Sequence, residues 1–247
     1  MPKVIKYFIH ISYKGTAYHG WQIQKNAHTV QAELNKALLL LLGEPAETLG
    51  CGRTDTGVHA RRFTAHFEAT KSINAQTFVP KINKILPPDI ACYDLHPVPD
   101  AANARFDAIS RTYRYFITLV KNPFLTEYAC YVHHPLNVEA MNAAARLLLT
   151  TTDFTSFAKL HSDAKTNICT IHEAYWAEDK ENNTLVFTIK ANRFLRNMVR
   201  AIVGTLLDVG RGKLSPEEFA KVTDSKNRCR ASTSAPAQGL FLWEVEY

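Results

Sequence analysis

A chain of 247 residues can form one large domain or two small ones, at roughly 150 residues per domain, and 46% hydrophobic with 21% charged residues is ordinary folded composition. That excludes disordered, collagen-like and low-complexity chains. The net charge of +6 lies wholly in residues 1–123, while residues 124–247 are balanced, which suits either a polyanionic partner or a solvated basic surface.

Residues 3–13 read as a strand, rich in β-branched and aromatic residues and ending at Gly15. A helix follows, with Thr29 as its N-cap, Val30, Leu34, Ala37, Leu38 and Leu41 at helical spacing, and Gly43 as its stop. Strands are predicted near 46–52 and 62–69, a helix over 75–86 closed by Pro87-Pro88, and a strand at 90–96. This order, β-α-β-β-α-β, then repeats. A strand spans 110–119, a helix 138–149, a hairpin 168–178 with 183–191, a helix 195–209, and a last strand Leu240 to Tyr247. The expected fold is α+β, two ferredoxin-like (RRM-like) halves with helices on one face of each antiparallel sheet. The linker-like stretch from Pro97 to Asn103 places the boundary near Ala104, giving units 1–104 and 105–247.

The longest apolar run, Ala37 to Leu42, is far below the about 20 residues that span a bilayer. Met1-Pro2-Lys3 leads directly into Val4 without a signal-peptide core, so a cytoplasmic location without membrane attachment is expected. Five cysteines with no C-x-x-C pair argue for reduced, mostly buried thiols. Among ten histidines His133-His134 is the only close pair, and no H-E-x-x-H or carboxylate-histidine cluster at ligand spacing occurs, so no metal is expected.

Four segments can carry chemistry. Gly52-Arg53-Thr54-Asp55-Thr56-Gly57-Val58-His59 frames one acid with glycines and sets Arg53 before it and Arg61-Arg62 just beyond. Neighbouring cations favour the carboxylate, which suits a nucleophile or base, and the glycines allow close approach of a ligand. A turn aspartate bonding its own backbone is the plainer alternative. On a strand, Arg111, Tyr113 and Tyr115 share one face and can meet a base and phosphates, or form a half-buried strand with snorkelling arginines, Arg114 lying on the other face. In a helix from about 194, Arg196 and Arg200 lie four apart on a common face that lacks acids, with Lys190 and Arg193 just before. They are expected either to meet an anion, a phosphate or Asp55 across a domain cleft, or to line a solvated helix face. Finally, the loop Ser234 to Leu242 carries an apolar tip able to pack on a base or simply on the strand it feeds.

Together Tyr13 to Gln24, Gly52 to His59, Arg111 to Tyr115, Phe194 to Arg200 with Gly204, and Ala235 to Leu240 resemble the TruA family of tRNA pseudouridine synthases, over a span from residue 4 to the last strand. Lys14 and Thr56 depart from residues common in that family, Asp and Ala respectively. The resemblance implies a cofactor-independent isomerase that converts uridines 38, 39 and 40 of the tRNA anticodon arm. It implies Asp55 as the catalytic aspartate, Arg53 and Arg200 as its ion-pairing or phosphate-binding companions, Tyr113 packed on the target uracil and Leu240 as an apolar contact. It further implies two halves with sheets merged into one, a basic cleft between them, and a homodimer in which each tRNA meets both subunits. Arg61, Arg62, Arg111, Arg114, Arg193 and Arg196 are the expected RNA-binding arginines. The rivals are a non-catalytic tRNA-binding protein or chaperone, and an N-glycosidase, although glycosidases usually pair two carboxylates and the Asp55 motif holds one.

Overall fold

The structure, a computed structural model, describes residues 4–160 and 165–247. Lys3, where the first strand is predicted to begin, lies outside them. Helices and antiparallel sheet make an α+β protein that divides into two compact units, one running to Ile109 and taking in Leu242–Tyr247, the other Ser110–Phe241.

In the first unit the order is β1 (Ile5–Tyr13), α1 (Val30–Leu42), β2 (Leu49–Gly50), β3 (His59–Ala69), α2 (Ala75–Ile85) and β4 (Ile90–Val98). Strand β1 lies between β3 and β4, antiparallel to both, and β2 adds a short pairing to β3. The alternation seen in the sequence turns Tyr7, Ile9, Ile11 and Tyr13 into the core beside Phe63, Ala65 and Phe67. Helix α1 starts where predicted, because the Thr29 hydroxyl accepts from the Ala32 amide, and stops where predicted, because Gly43 takes the left-handed conformation at φ 75°. Its buried stripe is Val30, Leu34, Ala37 and Leu38, whereas Leu41 is only half-buried. Strand β3 begins at His59, three residues before the predicted start.

The second unit contains β5 (Ser110–Thr118), β6 (Cys130–Tyr131), α3 (Val138–Leu147), β7 (Ile171–Asp179), β8 (Thr184–Ala191), α4 (Met198–Gly210) and α5 (Pro216–Asp224). Strand β8 lies between β5 and β7, antiparallel to both, and β6 runs parallel to β5. Tyr115 and Ile117 of β5 face Phe187 and Leu185 of β8 across the register, and all four are buried. Strand β6 and helix α5 were not predicted. The latter carries a legible signal, since Ser215 and Glu218 form a reciprocal capping box with Pro216 at the first helical position.

Helix α4 begins at Met198, not near 194. Asn197 sits in the left-handed region at φ 64° and breaks any earlier helical turn, so Leu195 to Met198 form a turn closed by the Met198 amide on the Leu195 carbonyl. Arg196 therefore precedes the helix and does not share a helical face with Arg200. The chain finishes in β9 (Leu240–Glu246), whose residues from Leu242 onward belong to the first unit as neighbours of β3. Among the described residues no helix is long and apolar enough to cross a membrane.

Candidate active site

Asp55 lies in the loop between β2 and β3, which is held on its inner side by the segment that follows β1. The Tyr13 hydroxyl is 2.8 Å from Thr54 Oγ1, Trp21 donates its amide to the Thr54 carbonyl, and the Gly57 amide donates to the Tyr18 carbonyl. Backbone meets backbone here. A Cβ on Gly15 would lie 2.0 Å from the Val58 oxygen, and one on Gly20, itself at φ 85°, 2.2 Å from the Thr54 oxygen. At the far end the Gly15 amide donates to Nδ1 of the buried His59, and the Val58 amide closes a turn on the Asp55 carbonyl.

The outcome is a loop whose flanks, Thr54 and Val58, are buried while Asp55 keeps part of its surface in solvent and Arg53 is exposed. Of the two framing glycines only Gly57, at φ 79°, needs its conformational freedom; Gly52 has open space around it and serves approach alone. A groove of about 600 Å³ adjoins the loop, lined by Gly52, Arg53, Gln22, Gln31 and Arg105 among others. The buttressing roles of Gly15, Gly20, Thr54 and His59 escape a residue-by-residue reading, because each acts through backbone contacts with a segment distant in sequence.

Arg61 and Arg62 stand exposed at the start of β3. The Arg61 guanidinium lies 4.3 Å from the centre of the Trp243 ring, and Arg62 pairs with Glu244 at 3.1 Å.

The remaining residues expected at the site lie in the second unit. Tyr113 is half-buried near the start of β5, its ring edge-on to Phe194 at 5.0 Å. Arg111, on the same strand, donates to the Asn192 carbonyl. Tyr115 shares their side of the strand but does not join a base-binding surface: it is buried, and its hydroxyl donates to the Pro236 carbonyl. Arg114 and Arg193 are half-buried and Arg196 exposed.

Arg200 is engaged by the protein's own backbone. Its Nε donates to the Ala235 carbonyl at 2.7 Å while its own carbonyl accepts from the Ala235 amide, so it clasps the loop before β9. Gly204, one turn on, lets that loop sit directly on α4, since a Cβ there would come 2.0 Å from the Thr233 oxygen. Arg228 braces the same loop through the Ala231 and Ser232 carbonyls and the Ser234 hydroxyl. Leu240, where β9 begins, is 4% exposed, so the loop's apolar tip packs largely against the protein. Arg200 and the Ala235–Leu240 segment are thus brought together, as are Tyr113 and Phe194.

Away from Asp55, the sheet of the first unit carries a group that spacing in the sequence did not suggest. His10, Asp94 and His96 lie with their ligand-type atoms within 4.8 Å of one another, contrary to the expectation of no carboxylate-histidine cluster. Burial, and next the imidazole of His96, hold His10 below the usual histidine range.

Comparison with known proteins covers nearly the whole chain. The family model described as tRNA pseudouridine synthase matches residues 144–247. The chain is 54% identical to tRNA pseudouridine synthase A of Bacteroides thetaiotaomicron over 98% of its own length and 90% of that protein. It is 53% identical to tRNA pseudouridine synthase A of Bacteroides fragilis, over 99% and 97% respectively. The protein of that name from Bacillus subtilis is 41% identical over 96% of this chain and 97% of its own. Identity on this scale over nearly the whole chain establishes that it belongs to the tRNA pseudouridine synthase A family.

Proposed function

We infer that this chain is an isomerase that turns uridine in tRNA into pseudouridine, with Asp55 as the group that works on the reacting nucleotide. The observation that carries the reading is the Asp55 loop itself: a carboxylate partly open to solvent, on a backbone pinned from Tyr13, Tyr18, Gly20 and His59, with Arg53 beside it. A fixed carboxylate is what the chemistry asks for. The N1–C1′ bond of the nucleotide breaks, the ring turns, a C5–C1′ bond forms, and the proton leaving C5 is balanced by one gained at N1. Atoms and electrons are conserved, so neither a redox partner nor a nucleotide energy source is required.

Attack at C1′, addition at C6 and removal of the C2′ proton are all open to a carboxylate. Whichever route operates, the target must first leave its stack, at a cost of a few kcal/mol that phosphate contacts offset. We assign Arg53 and Arg200 to the carboxylate or the adjoining phosphate, Tyr113 to the face of the uracil, and Leu240 to its edge. Arg61, Arg62, Arg111, Arg114, Arg193 and Arg196 are assigned to the RNA backbone. Tyr113 is half-buried, and the groove beside Arg53 has room for a flanking nucleotide. The finer reading has two ferredoxin-like halves, sheets merged into one, and a basic cleft between them that takes the anticodon arm. Uridines 38, 39 and 40 are the targets, and the working form is a homodimer in the cytoplasm.

The test replaces Asp55 by Ala and by Asn. Tritium release from tRNA labelled at C5 of uridine is expected to fall about a thousandfold or more in both, while tRNA affinity stays close to that of the parent. Release that persists in both variants removes Asp55 from the chemistry and leaves a tRNA-binding protein. Free uracil in the parent reaction would instead indicate an N-glycosidase.

A further inference from the structure

The three side chains His10, Asp94 and His96 belong to two neighbouring antiparallel strands, β1 and the edge strand β4, whose register sets His10 opposite Asp94 and Phe8 opposite His96, with an irregularity directly after. His10 pairs with Asp94, but the next residue, Ile11, pairs with Cys92, so Tyr93 is an extra residue in β4. Such a bulge re-aims the side chains beside it. Cys92 and Leu95 both remain in the core, and Tyr93 and Asp94 between them both stand out. Asp94 and His96, two apart on a strand, then project to the side on which His10 lies.

The contacts around them are those of a ligand set with its supports. The Nδ1 of His96 is 3.0 Å from an Asp94 carboxylate oxygen, and its ring stacks on that of His10 with centroids 5.3 Å apart. The Nδ1 of His10 is engaged by the Thr64 hydroxyl at 3.1 Å, which fixes the ring and leaves Nε2 for another partner. Arg62, the cation bearing on His10, is itself paired with Glu244. Two imidazoles and one carboxylate suit zinc, which takes bonds of about 2.0–2.2 Å and leaves a fourth position to water. Asp94 is exposed and His96 half-exposed, so both have the rotational freedom to close on an ion.

We propose that His10, Asp94 and His96 form a zinc-binding site that clips β4 to β1, separate from the Asp55 loop and from the isomerisation. An ion bound only by the folded chain adds to its stability by mass action. The test dialyses the full chain against chelator and titrates zinc against a chromogenic indicator, with thermal unfolding followed in parallel. Uptake of one zinc per chain at the site and a rise in Tm are expected for the parent. His96→Ala and Asp94→Asn, the latter an exposed change in charge alone, should each bind that zinc at least about tenfold more weakly and lose the rise in Tm. No zinc uptake by the parent, or equal uptake and equal Tm rise in all three proteins, overturns the proposal.

Discussion

Burial separates the five thiols into two classes. Cys51, Cys92, Cys130 and Cys169 are buried and Cys229 is exposed, flanked by Arg228 and Arg230. Desolvation pushes Cys92 up to about 12 and Cys169 to about 11, so at neutral pH neither carries the thiolate that reacts with a disulfide reagent. A thiol-specific disulfide reagent is expected to titrate one cysteine rapidly in the native protein and all five after denaturation. Fast release by a second native thiol would contradict the packing around Cys92 and Cys169. That most of the thiols are buried agrees with the expectation from the sequence. Which side of a strand is covered is not legible there: alternation puts Tyr113 and Tyr115 together, yet contacts from distant segments, the Pro236 loop among them, make one of them core.

Helix ends follow local chemistry closely, which is why Thr29 and Gly43 mark α1 from sequence. The start of α4 does not, because an apolar stripe continues through Leu195 and nothing in composition announces the left-handed Asn197. Helix α5 had its capping box in plain view. Asp94-Leu95-His96 likewise has the two-residue period that places both side chains on one side of a strand, but the partner His10 is supplied by pairing far along the chain. The Asp55 loop is the same kind of case, its motif legible and its supports hidden in the Tyr13–Trp21 segment. Gly20→Ala tests those supports, since the added Cβ meets the Thr54 oxygen at a backbone angle that alanine disfavours. On the role proposed for Asp55, moving its carboxylate by about 1 Å is expected to cost about a hundredfold in rate. Single-turnover pseudouridine formation should fall by that order with tRNA affinity little changed; an unaltered rate would mean that the loop keeps its position without the Gly20 contact.

Charge acts over longer distances than any of these contacts. The positive excess of residues 1–123 is expected to make tRNA affinity strongly salt-dependent, because each phosphate neutralised releases counterions. Arg62 spends its charge on Glu244 in the free protein. If it exchanges that partner for a phosphate, Arg62→Ala reduces the slope of log affinity against log salt by about 1, and Glu244→Gln, which releases Arg62, tightens binding at low salt. An unchanged slope in Arg62→Ala takes Arg62 out of the RNA-binding set. The α+β class and the order of most strands and helices were readable because hydrophobic period is local. The return of Leu242–Tyr247 to the unit that begins the chain was not, because a strand pattern shows an edge and not the edge it pairs with.

That return governs how the protein is made. Tyr247 packs its ring on Phe8 at 5.3 Å and donates its hydroxyl to the Ala104 carbonyl, and the Ile109 amide bonds the Glu246 carbonyl. During translation residues 4–109 emerge first, yet their sheet lacks a strand until 110–241 have also left the ribosome. The nascent amino-terminal portion therefore waits with part of an edge of β3 unpaired, a state open to wrong pairing between neighbouring polysomal chains.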